Sequence, residues 1–252
     1  LVRLTESGGL LAEIRSDAGH YQFRPAQIAT LVEADRASRQ VLNERGQRIV
    51  EEGLRGWQLL GTYLPPARFA EIHRQRAHLV LDPDLVRFLL QCALRHENAE
   101  LAGASSYWFH RLSSHDDGVD VLLAALFDQA ADVRSRAATL LGICPDELVR
   151  ERLCVLALTD DAPAVRAAAI ASLAHMADEA LLARLRREVE NPQSPTREHA
   201  IGALQIFPRP DVSLLLQQLV AEPNTQQPIR AKAVSILAAL SIRESVDALV
   251  DI

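Results

Sequence analysis

The chain has 252 residues, 27 Lys plus Arg against 33 Asp plus Glu, a formal net charge of -6, and 48% hydrophobic but only 4% aromatic residues. That balance suits a globular chain and not a disordered one, and its acidity argues against generic binding to a phosphate backbone. The longest unbroken apolar run, Val121 to Phe127, falls far short of the roughly 20 residues that a membrane-spanning helix needs. Cys92, Cys144 and Cys154 are odd in number and lack Cys-x-x-Cys spacing, which predicts a reducing, cytoplasmic setting. Lys232 is the only lysine, so nearly every basic residue is arginine, a bias expected of a GC-rich, bacterial genome. With no Met before Leu1 and a helical pattern still running at Ile252, the chain reads as an internal piece of a longer protein.

In chain order, Leu10 to Ile14 and Tyr21 to Phe23, separated by Ser16-Asp17-Ala18-Gly19, predict a short β-hairpin with Tyr21 and Phe23 on one face. From Ala26 a long helix carries Ile28, Leu31, Val32, Val41 and Leu42 at mostly helical spacing, with Gly46 and Gly53 as candidate breaks. Pro65-Pro66 and Pro83 introduce further helices over Ala67 to Leu79 and Asp84 to His96.

Beyond residue 84 the chain repeats itself. Segments 133–141, 165–173, 196–204 and 229–237 align without gaps on Arg-x-x-Ala-apolar-x-x-Leu, with Arg134, Arg166, Arg197 and Arg230 at steps of 32, 31 and 33 residues. In each copy the Ala, the apolar residue and the Leu share one helical face, and a second apolar helical stretch precedes the Arg. Asp132, Asp161 with Pro163, Ser194-Pro195 and Pro228 supply start signals at matching phase. Each copy is therefore a helical hairpin. A unit this short cannot bury its own apolar faces, so neighbours must stack into an α-solenoid. The expected organisation is all-α: segment 1–45, a helical linker module 46–84, and a solenoid 85–252. Its repeats span about 85–112, 119–143, 150–175, 180–206 and 212–240, and a truncated one starts at 244–252.

The Val-Arg-x-x-Ala cores, with Asp128, Asp132, Asp160 and Asp161 in the preceding turns, resemble the HEAT-repeat family, in a short bacterial form similar to phycobilisome-lyase-like proteins. Copies three and four depart from that pattern, with Asn191, Gln193, Asn224 and Gln226 where acids are usual, which loosens a regular Asp-Arg ladder. The tetratricopeptide and ankyrin signatures are missing. The stretch from Gly9-Leu10-Leu11 through Tyr21-Gln22-Phe23-Arg24 to Ile28, Leu31 and Ala34 resembles the winged-helix segment after the nucleotide-binding core of STAND or NACHT-type NTPases. It departs from that family at Pro25, Thr30 and Glu33. In such proteins a repeat sensor follows directly, which implies that this chain is the C-terminal sensor part of a signalling NTPase. The chain itself has no Gly-x-x-x-x-Gly-Lys-Ser/Thr run, so any nucleotide hydrolysis would reside upstream of Leu1.

For sites, Arg134, Arg166, Arg197 and Arg230 are assigned to the fold, pairing with turn acids or carbonyls. Two residues further on, the second helices present Arg136, Ala168, His199 and Lys232, a partly basic line on the inner surface if those helices face inward. Arg136, His199 and Lys232 are the candidate partner-binding residues, for a protein, a peptide or another domain of the same chain. His110, His115, Asp116 and Asp117 lack zinc-site spacing, as do His73 and His78, and Ser114-His115-Asp116 is no triad. No catalytic residue, metal or cofactor is expected. Tyr107-Trp108-Phe109, Trp57 and Tyr63 read as packing residues, and the cysteines as buried small hydrophobes. The alternative classes are a free-standing HEAT scaffold, a nucleic-acid-binding HEAT-like protein and a phycobilin-lyase-like chaperone.

Overall fold

The computed structural model describes the backbone of residues 25–112 and 115–250, and all its described elements are helical. The expected β-hairpin of Leu10–Ile14 and Tyr21–Phe23 lies outside the described residues. The chain divides into two compact units, Leu1–Leu85 and Val86–Ile252.

In the first unit, α1 (Pro25–Leu60) runs unbroken through Gly46 and Gly53, and α2 (Pro66–Gln75) packs on it. Gly46 is a close approach and not a break: a Cβ there would stand 2.5 Å from Cδ2 of Leu79 and 3.7 Å from Cδ1 of Ile72. Asn43 accepts the Val80 N–H through Oδ1 at 2.9 Å, tying the chain after α2 back to the helix. Val50, Leu64, Phe69, Ile72 and Leu79 are buried. The apolar residues Val32, Val41 and Leu42 of α1 are instead exposed.

Then come ten helices in five successive hairpins: α3 (Pro83–His96) with α4 (Ala104–Arg111), α5 (His115–Ala125) with α6 (Ala131–Leu141), α7 (Glu147–Thr159) with α8 (Pro163–Leu173), α9 (Glu179–Glu190) with α10 (Arg197–Ala203), and α11 (Pro210–Ala221) with α12 (Gln227–Val250). First and second helices pack within the last four hairpins, α6 packs on α8, and α10 packs on α12 and on α7. The core is the row of faces expected from the repeat: Ala137 and Leu141, Ala169 and Leu173, Ala200 and Leu204, with Leu122, Leu153, Leu185 and Leu216 from the first helices. Small residues set the spacing where α6 meets α8. A Cβ on Gly142 would lie 2.8 Å from Oγ of Ser172, and that buried hydroxyl donates to the Ala138 carbonyl at 2.9 Å.

Two local expectations need correcting. Side-chain caps sit on first helices, where Asp146 accepts from Leu148 and Val149 N–H and Asp178 from Leu181 N–H; α6, α8 and α10 start without one. Residues 244–250 do not open a separate element but continue α12, because no Gly or Pro interrupts the chain after Ala238.

Candidate recognition cleft

The turns between first and second helices place the functional groups. Asp128, Asp160 and Asn191 each accept through Oδ1 the N–H two residues ahead, from Ala130 at 2.8 Å, Ala162 at 2.9 Å and Gln193 at 3.1 Å. This side-chain turn turns the chain into the next helix. The repeat arginine then reaches back to the same turn. Nη1 of Arg134 donates to the carbonyls of Asp128 and Gln129, and Nη1 of Arg166 to those of Asp160 and Asp161. Arg197 reaches the Val189 carbonyl at 2.7 Å, and Arg230 those of Glu222, Pro223 and Thr225. These carbonyls belong to the end of the preceding helix or to the turn after it, and guanidinium has donors enough to serve several at once.

Arg134 alone of the four also holds carboxylates. Its Nε and Nη2 each bond Asp160 at 2.8 Å, a bidentate pair with side chains only 12% and 5% exposed, and Nη2 meets Asp161 at 2.7 Å. Burial opposes ionisation of Asp160, but the bonds from Arg134 and the Ala162 N–H outweigh it and hold the carboxyl below the usual range. At the next turn, Glu188 accepts from the hydroxyls of Ser194 and Thr196, which lower its pKa, and the neutral Asn191 stands in the position of Asp160.

Second helices α8, α10 and α12 border a cleft of about 220 Å³ lined by Arg166, His199, Lys232, Glu198 and Gln205 among others. Nδ1 of His199 lies 2.7 Å from the Leu158 carbonyl, so it carries the proton and Nε2 is left as an acceptor. Lys232 lies across α10 at Gly202, where a Cβ would come within 3.0 Å of its Cε. Any larger residue at 202 would push the ammonium aside.

The structure thus brings His199 and Lys232 together and leaves Arg136 out. The guanidinium of Arg136 donates to the carbonyls of Leu94 and Glu97, both at 2.7 Å, closing the end of α3. That bonding counts against a basic line able to follow a phosphate backbone, which needs free cations. Arg166, read from the sequence as a fold residue, does line the cleft; the signal that could have found it is the amide of Asn191.

A second cleft of about 420 Å³ was not foreseen. Leu126, Phe127, Arg152, Val155, Asp128 and Asp160 are among its walls, and Phe127, 75% exposed, stands just past the end of α5. The other singled-out residues are placed as follows. Nδ1 of His110 contacts the Ser106 carbonyl, Asp117 pairs with Arg87, and the side chains of His115 and Asp116 lie outside the described residues. No cluster of three metal-ligating side chains occurs among the described residues. Trp108, Phe109 and His73 are buried, Trp57 stands 6.5 Å from Tyr63, and all three cysteines are buried, with the Cys144 and Cys154 thiols pushed up by desolvation.

Stacked helical hairpins, four of them with an arginine near the start of the second helix, define a HEAT-like repeat fold. Residues 150–238, from α7 into α12, match the family of HEAT repeats. No curated protein matches the chain. Repeats of this kind form protein-interaction scaffolds, and no helix among the described residues is long and apolar enough to cross a membrane.

Proposed function

We propose that the hairpin stack is a recognition scaffold whose second-helix face receives a protein or peptide partner, or another domain of the same chain. One observation carries this: within the HEAT-matching segment, three successive second helices direct Arg166, His199 and Lys232 into one cleft. In the finer form of this reading the stack is the sensor arm of a STAND or NACHT-type signalling NTPase. Support for that comes from the resemblance of the stretch around Gly9 to Ala34. Partner binding would then shift an upstream NTPase between two states, which demands different contacts in each.

The test places a photoreactive residue at Ala167, exposed in the cleft wall, or at Leu148, exposed on first helix α7. The same partner should crosslink from 167 and not from 148 in extracts of the native host. Capture from 148 alone would overturn the assignment of the face. For the sensor form, Lys232→Gln in the full-length protein should blunt partner-stimulated ATP turnover; unchanged stimulation would overturn it.

A further inference from the structure

The cleft sets two cations, Arg166 and Lys232, against one carboxylate, Glu198. Asp128, Asp160 and Asn191 are equivalent by geometry, each accepting the N–H two residues ahead, and not merely by alignment. Asp160 has a second role, neutralising Arg134 of the preceding hairpin. Arg166 makes the equivalent carbonyl contacts at its own turn, but the residue of the following hairpin at the repeat position of Asp160 is the neutral Asn191, and no hydrogen bond joins it to Arg166. Among the described residues no carboxylate pairs with Arg166, and its Nε and Nη2 bond no protein acceptor. A half-buried guanidinium with spare donors favours an anion brought from outside.

Around that gap the neighbouring hairpins add the Lys232 ammonium and, as a wall, the His199 ring held by its Nδ1–H on the Leu158 carbonyl, while Glu198, exposed at the rim, is the one carboxylate lining the cleft. Arg166 and Lys232 outweigh it. Gln205 adds an amide, and Ala157, Ala167 and Ile170 form a short apolar wall. At about 220 Å³ the cleft is smaller than the ~300 Å³ at which drug-sized pockets begin, but it admits a carboxylate on a short aliphatic stem.

We infer that the Arg166–His199–Lys232 cleft seats the carboxylate side chain of an acidic segment of a protein partner. The inference rests on the scaffold reading and names the chemistry that the scaffold selects. Arg166 and Lys232 supply the charge, Gly202 keeps the lysine low against α10, and the neutral Asn191 stands at the repeat position from which Asp160 neutralises Arg134.

The test is fluorescence anisotropy of a labelled decaglutamate peptide with the full 252-residue chain, wild type, Lys232→Gln and Asn191→Asp. Asn191→Asp keeps the turn acceptor and puts a carboxylate at the repeat position from which Asp160 pairs with Arg134, so it should compete with the ligand for Arg166 without removing a turn bond. Each variant should bind about tenfold more weakly, the scale of one charge-assisted contact. Decalysine should not bind, and glutarate should compete only at far higher concentration. Because Lys232 is the only lysine, its acetylation, read by peptide mapping, should slow severalfold when decaglutamate is present. Equal affinity across the three proteins, or equal binding of decalysine, would overturn the inference. Glutarate binding as tightly as the peptide would overturn the peptide source. If Ala167 crosslinks a partner while both variants bind like wild type, the cleft assignment fails and the scaffold stands. If the anion effects hold but no partner crosslinks, the scaffold reading fails, and with it the proposed occupant.

Discussion

Arg134 and Arg166 share the Val-Arg start and equivalent carbonyl contacts, and part company at carboxylates: Arg134 holds Asp160 and Asp161, Arg166 none among the described residues. Asp160→Asn keeps the turn and removes only the charge, so urea denaturation at pH 7 should show a loss of about 2 kcal/mol, the scale of a bidentate charge-assisted pair. The pH dependence has a definite sign. A carboxyl held below its usual range stabilises the folded state above that range, and the benefit disappears as pH falls through the lowered value. Wild type and Asp160→Asn should therefore converge in stability as pH falls below the ordinary carboxylate range and through the lowered Asp160 value; a gap that persists once Asp160 is protonated in both the folded and the unfolded state would show that the pair is not the cause. Arg136→Ala should destabilise the hairpins by about 1–3 kcal/mol, since it uncaps two carbonyls at the end of α3, yet leave decaglutamate affinity unchanged. At this scale the sequence was half legible. The Arg-x-x-Ala pattern identified which arginines serve the fold, and the departure at Asn191 was visible. That Arg136 turns to Leu94 and Glu97 was not, because a carbonyl about 40 residues away leaves no mark on residue type.

Helix boundaries followed local signals where proline set them, as at α2, α3 and α8, each with Pro at its start. Glycines were harder to read. Gly46 and Gly53 suggested breaks in α1, but a helix tolerates glycine at ~1 kcal/mol, and at 46 the missing side chain makes room for Leu79. Gly142 serves the same end between α6 and α8, where Ser172 fills the space a methyl would need. Gly142→Ala, at the end of α6, forces both Oγ and Cβ of Ser172 to move and presses on its Cα, so it should cost about 1–3 kcal/mol in urea denaturation. A neutral or stabilising result would mean that the two helices separate without penalty. The exposed Val32, Val41 and Leu42 show the limit of periodicity, which marks an apolar face but not whether anything covers it.

On the scale of the whole molecule, the repeat was legible because its period recurs in phase and because a hairpin that short must stack. The cleft was not, since it arises where α8, α10 and α12 from three repeats converge and no single repeat contains it. The acidic net charge likewise hid a local cationic site, because many of the described arginines elsewhere are spent on turn carbonyls or ion pairs such as Arg87 with Asp117 and Arg150 with Asp178. Function in such a stack is thus set where the repeat pattern lapses. The most direct measurement is amide hydrogen exchange of the full chain with and without saturating decaglutamate. Slowed exchange confined to α8, α10 and the first turns of α12 is the predicted result. Protection confined to the first helices α5, α7 and α9, or no change anywhere, would contradict the account.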